Sequence, residues 1–165
     1  ITDVAYDIPW LGSHIVVGIT TASSALRLVS QNNEFIIDET GRAVTRLNDV
    51  NKSTVLKLPK IEDQTGYEPK LGQQVLTKQQ TGFITTVVSQ LVSRGLVLSS
   101  IILPSKAQEL DVRITGLAYY IKFYMGGDGL VQSGAFLATK QKLDKQGPQP
   151  ADYIDVRIED RVFVK

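Results

Sequence analysis

The chain has 165 residues, a size that suits one domain with one core, and 42% of them are hydrophobic, which argues against disorder throughout. Its 18 lysines and arginines against 17 aspartates and glutamates give a net charge of +1, without the basic excess that general nucleic-acid binding needs. Cysteine is absent, which excludes disulfides, thiolate metal sites and cysteine nucleophiles, and no apolar run approaches the roughly 18 residues of a membrane span.

The first third of the chain predicts short β-strands joined by polar turns. A β-branched run at 13–21 is typical of a buried strand, and the segments 25–30, 34–38 and 42–47 predict a meander. One more strand is predicted at 54–58, ended by a proline.

Residues 60–74 predict a long exposed loop, because they are polar and contain two glycines and a proline. Loops of this length often carry function. Tyr67 and Lys70 are therefore candidate binding residues.

Residues 75–94 predict the one long helix, with outer limits of about 73–94. Apolar residues recur at three- and four-residue spacing, which makes a stripe that should pack on a sheet. The stripe consists of Leu76, Phe83, Ile84, Val87, Val88 and Leu91. Gly95, directly after Arg94, supplies a C-terminal stop.

After this helix the chain predicts strands again, at 99–103 and from Leu110 onward. The apolar positions change parity at Gly116, which predicts a β-bulge inside one strand. The segment 152–165 alternates throughout, so it is either one long strand or two strands with a turn at Glu159-Asp160.

The glycines around Asp128 raise the question of a ligand cradle. A dinucleotide-type cradle needs a third glycine at the right spacing and a following helix, whereas here the apolar alternation predicts a following strand. We therefore predict a β-hairpin with Gly127 and Asp128 at the centre of the turn, which places Tyr119 opposite Phe136.

This hairpin would leave Tyr120, Lys122 and Tyr124 on the face opposite the apolar residues of the same strand. Two tyrosines that flank a lysine could stack on a ligand. Burial in the core or at a subunit contact is the simpler interpretation, because both faces of a central strand are usually covered.

Other chemistries have weaker support. His14 is the only histidine, so a two-histidine metal site is excluded and a structural or surface role is favoured. The acidic pairs at 38–39, 62–63 and 159–160 are interpreted as solvated turn residues rather than as a metal or catalytic site. Lys140, Lys142 and Lys145 lie at a predicted strand end that runs into a proline-rich loop, and a solvated loop is favoured over a small basic patch for an acidic partner.

We expect a single α+β domain over 1–165, mainly antiparallel β in a sandwich-like or curved sheet with one long helix packed on it. The favoured function is a non-enzymatic structural or assembly subunit of a virion, a phage-tail-like particle or a cell-envelope apparatus. We expect protein partners, with a homo-oligomer favoured, and no cofactor, metal or catalytic set.

Two alternatives stay open: a glycan- or peptide-binding module, and a hydrolase that uses acidic residues and His14. Ile1 in place of an initiating methionine indicates processing or a piece of a longer protein. The location is not determined, with a virion or an extracellular or periplasmic site slightly favoured.

Overall fold

The computed structural model describes residues 3–7, 16–20, 23–106 and 108–165, the first two ranges by their backbone alone. The strands are β1 (Asp3–Asp7), β2 (Val16–Thr20), β3 (Ser24–Ser30), β4 (Asn33–Asp38), β5 (Ala43–Arg46), β6 (Lys60–Asp63), β7 (Leu98–Leu103), β8 (Glu109–Ile114), β9 (Tyr120–Tyr124), β10 (Tyr153–Asp155) and β11 (Phe163–Val164). The helices are α1 (Lys52–Val55), α2 (Lys78–Ser93) and α3 (Gly129–Gln146), with a short 3-10 turn at Leu47–Asp49.

Nine strands form one mixed, mostly antiparallel sheet, in the order β11-β10-β9-β8-β7-β6-β3-β4-β5. The parallel pairs are β3–β6, β6–β7 and β9–β10. β1 and β2 pair with each other in a separate two-stranded sheet. The predicted α+β class with a helix packed on a sheet is confirmed.

Two crossover connections, β6–α2–β7 and β9–α3–β10, place both long helices on the same face of the sheet. β6 and β9 run in the same direction, and both connections move the chain toward the β11 edge. Right-handed crossovers of this kind put their helices on one face. Accordingly α2 and α3 contact each other, and at Gly129 an added Cβ would lie 3.3 Å from Thr86 and 3.4 Å from Phe83.

The hydrophobic core lies between this face and the two helices. Alternate strand residues point into it, and α2 contributes the predicted stripe, of which Phe83, Ile84, Val87 and Leu91 are buried within the helix. The rings of Phe83 and Phe123 pack edge to face with centroids 6.4 Å apart.

The predicted long helix is confirmed as α2, although it begins later than expected. Thr77 and Gln80 form a capping box, in which each side chain accepts a hydrogen bond from the other's backbone N–H. This cap sets the start at Lys78. The stop at Gly95 is as predicted, with a φ of +77°.

The predicted hairpin around Asp128 is wrong, because a helix follows it. The Asp128 carboxylate caps α3 by accepting hydrogen bonds from the N–H groups of Leu130 and Val131, at 2.7 and 3.1 Å. A Cβ on Gly126 would lie 2.6 Å from the Tyr124 ring, so glycine permits the close passage from strand to helix. The predicted pairing of Tyr119 with Phe136 depended on this hairpin and is therefore also wrong.

The amide of Gln132 joins α3 to the end of β9. Its Oε1 accepts from the Tyr124 N–H at 2.8 Å, and its Nε2 donates to the Tyr124 carbonyl at 2.9 Å. The Gln132 amide therefore supplies the hydrogen-bond partners of the Tyr124 backbone, because the pairing of β9 with β10 ends at Lys122.

Three other local predictions are corrected. Residues 54–58 form the end of α1 and a turn rather than a strand, since Asn51 caps that helix. The predicted loop 60–74 begins with β6, which lies inside the sheet although only Ile61 of its residues is apolar and buried. Gly116, with a φ of +86°, belongs to the connection between β8 and β9 rather than to a bulge within one strand.

The remaining strand predictions agree with the structure. The meander of β3, β4 and β5 is antiparallel, β7 covers the strand predicted at 99–103, and β2 lies within 13–21, whose other residues lie outside the described ones. At the C-terminus the two-strand alternative is confirmed: β10 and β11 pair, and the chain turns near Asp160, which has a φ of +59°.

Among the described helices, none combines the length and apolar character that crossing a bilayer demands.

Replacing Gly82 by alanine should raise the free energy of unfolding by about 0.5–1 kcal/mol, because glycine weakens a helix interior. The added Cβ would meet no atom within 4 Å. Chemical denaturation measures the effect. Gly41→Ala is the matched opposite: its φ is +91° and its Cβ would lie 2.0 Å from the Leu76 carbonyl, so it should destabilise the fold. A lower stability for Gly82→Ala would contradict this description of α2.

Candidate interaction surface

The candidate site lies on strands β8, β9 and β10, on the side turned away from α2 and α3. We call it the tyrosine face. It consists of Glu109, Asp111, Arg113, Tyr120, Lys122, Tyr124, Tyr153, Asp155 and Arg157. Arg157 lies two residues after the end of β10.

The strand register brings these side chains together. Tyr120 lies between Arg113 on β8 and Tyr153 on β10, and Lys122 lies between Asp111 and Asp155. Ile121 and Phe123 of the same strand point into the core. The prediction that Tyr120, Lys122 and Tyr124 share the opposite face is therefore confirmed, although β9 pairs with β8 and β10 rather than with a hairpin partner.

The tyrosine rings at the centre of this face are surrounded by cations. The rings of Tyr120 and Tyr153 lie 6.0 Å apart with a tilt of 58°. Lys122 Nζ is 5.4 Å from the first centroid and 4.7 Å from the second. Arg113 lies 4.9 Å from the Tyr120 centroid and Lys165 Nζ 5.7 Å from that of Tyr153, so each ring has two cations within cation–π range.

Arg157 ties two carboxylates of the face together. Its guanidinium binds Asp155 in a bidentate manner, at 2.9 and 2.6 Å, and also donates to Glu109, which is only 4% exposed. Burial alone would raise the pKa of Asp155, but the hydrogen bonds from Arg157 outweigh it and lower that pKa. The same bonds raise the pKa of Arg157.

Lys122 is buried between these acidic groups and remains charged. Its Nζ lies 3.7 Å from Glu109 Oε1. Burial would lower the pKa of Lys122, but the contact with the Tyr120 hydroxyl and the charge of Glu109 raise it.

Asp111 is the exception in this network, since its charge is poorly compensated. Burial and the neighbouring charge of Glu109 raise the pKa of Asp111 to about 6, against the partial opposition of Lys122, Lys106 and Arg157. Its Oδ1 is buried and accepts no hydrogen bond from the part of the chain that the structure describes. An uncompensated carboxylate of this kind is often found at functional sites.

Tyr67 and Lys70 lie on the connection between β6 and α2 rather than on a strand of the tyrosine face, so the structure does not place all the predicted binding residues on one surface. Tyr67 lines a cavity of about 230 Å³ at the carboxyl ends of β6 and β7, together with Asp63, Gln80 and Glu109. Lys70 is exposed, and its N–H donates to Gln73 Oε1 at 3.2 Å.

Sequence reasoning missed most of the partners of Tyr120 and Lys122. The C-terminal alternation places Tyr153, Asp155 and Arg157 on one side of their segment, and this was visible in the sequence. That β10 lies parallel to β9 was not, because the pairing depends on the α3 crossover.

The predicted environments of the acidic pairs and of the three lysines are partly wrong. Asp38 is 1% exposed rather than solvated, yet its role is local: it accepts hydrogen bonds from the N–H and hydroxyl of Thr40, at 2.9 and 2.7 Å. Lys140, Lys142 and Lys145 lie on α3 rather than at a strand end, and the first pairs with Asp144.

No metal or histidine site emerges from the described residues. His14 lies outside them, so its predicted role stays a prediction. Within 23–106 and 108–165, no group of three or more histidines and acidic residues is placed to hold a metal ion.

Asp111 should give the stability of the fold a characteristic pH dependence. Its pKa is about 6 in the folded chain and 3.8 ordinarily, so between these values the folded chain holds a proton that the unfolded chain has released. The contribution of Asp111 is therefore complete below about pH 4 and is lost as the pH rises through 6. Asp111→Asn should flatten this decline and raise the free energy of unfolding at pH 7, as measured by denaturation at several pH values.

Glu109→Gln is the control, since it removes a carboxylate that is paired with Arg157 and Lys122. It should lower stability at pH 7. An Asp111→Asn variant with the same pH dependence as the unmodified chain would show that Asp111 titrates normally.

Comparison with models of protein families finds none that matches this chain, and comparison with curated proteins finds no significant match. Neither comparison assigns a function.

Proposed function

We propose that the chain is a non-enzymatic assembly subunit, which binds further copies of itself through the tyrosine face within a larger complex. A virion, a phage-tail-like particle or a cell-envelope apparatus would suit such a subunit. The observation that carries the proposal is the cluster of three tyrosines and two arginines on one sheet surface that neither long helix covers. Tyrosine and arginine are the residues that protein interfaces favour.

The cations that already lie near the tyrosine rings favour a protein partner over a glycan. A sugar stacks on the open face of an aromatic ring, but cations of the chain already lie near the rings of Tyr120 and Tyr153. These rings and the partly exposed Tyr124 still offer edges and hydroxyl groups to a second protein surface.

The charges of the face favour a second copy as that partner. Glu109, Lys122 and Asp155 are buried and paired within the chain, whereas Arg113 is exposed and Asp111 is partly exposed, two residues away on the same strand. A balanced surface can meet its own copy with opposite charges facing each other across a twofold axis. The net charge of +1 for the whole chain adds little repulsion between copies.

A hydrolase has less support. Glu109 and Asp111 lie two residues apart on one strand, and the cavity beside Tyr67 is lined by Glu109 but not by Asp111. A catalytic pair needs a substrate-sized cleft between its members.

Arg113→Glu should weaken self-association roughly tenfold or more, because it reverses an exposed charge and removes a cation beside Tyr120. Light scattering or sedimentation over a hundredfold range of concentration measures the effect.

Lys78→Glu is the matched control, since it makes the same change of charge at an exposed position in the first turn of α2, on the opposite side of the sheet. It should leave association unchanged. A strictly monomeric unmodified chain, or equal effects of the two variants, would contradict assembly through the tyrosine face.

A further inference from the structure

The hairpin of β1 and β2 lacks a partner in the main sheet. Its two strands pair with each other and with no other described strand. An isolated two-stranded hairpin is marginally stable in water. Residues 1–22 contain 12 hydrophobic residues, two aspartates and no lysine or arginine, so this segment has much to gain from burial against another surface.

An acceptor for an extra strand exists at the β11 edge of the main sheet. β11 pairs with β10 on one side, and no described strand pairs with its other side. Phe163 and Val164 are 48% and 46% exposed. Exposed apolar residues on an edge with unpaired backbone groups form a template for strand addition.

A groove lies beside this edge, between α3 and the connection that leads from β10 to β11. Its volume is about 780 Å³, and its apolar lining includes Val131, Ala135, Val156, Ile158 and Val162. Alternate side chains of a strand added to β11 would point to the α3 side of the sheet, where this groove lies.

The chain's own hairpin cannot reach the β11 edge. Three residues, 21–23, join β2 to β3, and they span at most about 15 Å when fully extended. β3 is separated from the position beyond β11 by seven strand spacings, or about 33 Å. The other edge strand, β5, is closer but is closed at Ala43, which exchanges backbone hydrogen bonds with Gln73 and Gly72 at 2.9 and 2.7 Å.

We infer that the β1–β2 hairpin of one copy adds to β11 of a second copy and fills the groove beside α3, an inference that rests on the proposed self-assembly. The groove is lined by Asp128, Glu159 and Asp160 as well as by Arg157 and Arg161, so its charge does not select the occupant; the apolar lining and the unpaired edge of β11 do. The contact is head to tail, so repetition closes a ring or extends a filament, whereas a twofold contact through the tyrosine face stops at a pair.

The test uses two full-length variants that each disable one side of the contact. Gly18→Pro disrupts strand β2 of the hairpin, and Ala138→Trp fills the groove from an exposed position of α3 that lines it. Gln141→Trp, one turn further along α3 at an exposed position outside the groove lining, is the matched control.

Each disabled variant should assemble to a smaller mass than the unmodified chain, and Gln141→Trp should not. A mixture of the two disabled variants should form a larger complex than either variant forms alone, because the first keeps the groove and the second keeps the hairpin. Circular dichroism of each variant confirms that the main sheet is folded.

The outcomes separate this inference from the proposed function. An oligomer whose mass neither variant changes, or a mixture whose complexes are no larger than those of the separate variants, would overturn the docking of the hairpin and leave assembly through the tyrosine face intact. A strictly monomeric unmodified chain would overturn both.

Discussion

The handedness of two crossover connections determines where every other feature of this molecule lies. Because β6–α2–β7 and β9–α3–β10 both lead toward the β11 edge, right-handed connections place both long helices on one face. The apolar half of each strand then forms the core with those helices. The other half of β8, β9 and β10 is left to tyrosines and charged residues, and this division creates the tyrosine face.

Some charged residues on that face have a partner of opposite charge, and Asp111 has no close one among the described residues. Arg157 binds Asp155 and Glu109 together, so removal of either partner would leave a desolvated charge. Asp111 has no comparable partner, and its raised pKa reflects burial without a donor. A second protein surface that supplied a donor to Asp111 would gain binding energy from a group that weakens the isolated fold at neutral pH.

The sequence predicts the parts of the fold whose signals are local. The stripe of α2, the meander of β3, β4 and β5, and the parity that puts Tyr120 and Lys122 on one face all follow from periodicity. It fails at β6, where charged residues surround a single buried isoleucine, and at α3, where the apolar residues form no clear stripe and the buried positions include Gln132 and Ser133. Because the pattern of 129–146 predicts a strand rather than α3, it does not predict the parallel pairing of β10 with β9 or the charge network of Arg157.

The proposed function requires that the tyrosine face become buried when the chain self-associates. Hydroxyl-radical labelling, read by mass spectrometry at low and high protein concentration, measures this burial, with the exposed Val92 of α2, on the other side of the sheet, as an internal reference. Tyr120, Tyr124 and Tyr153 should become protected as the concentration rises, while the labelling of Val92 stays constant. Unchanged labelling of the three tyrosines as oligomers form would exclude assembly through the tyrosine face.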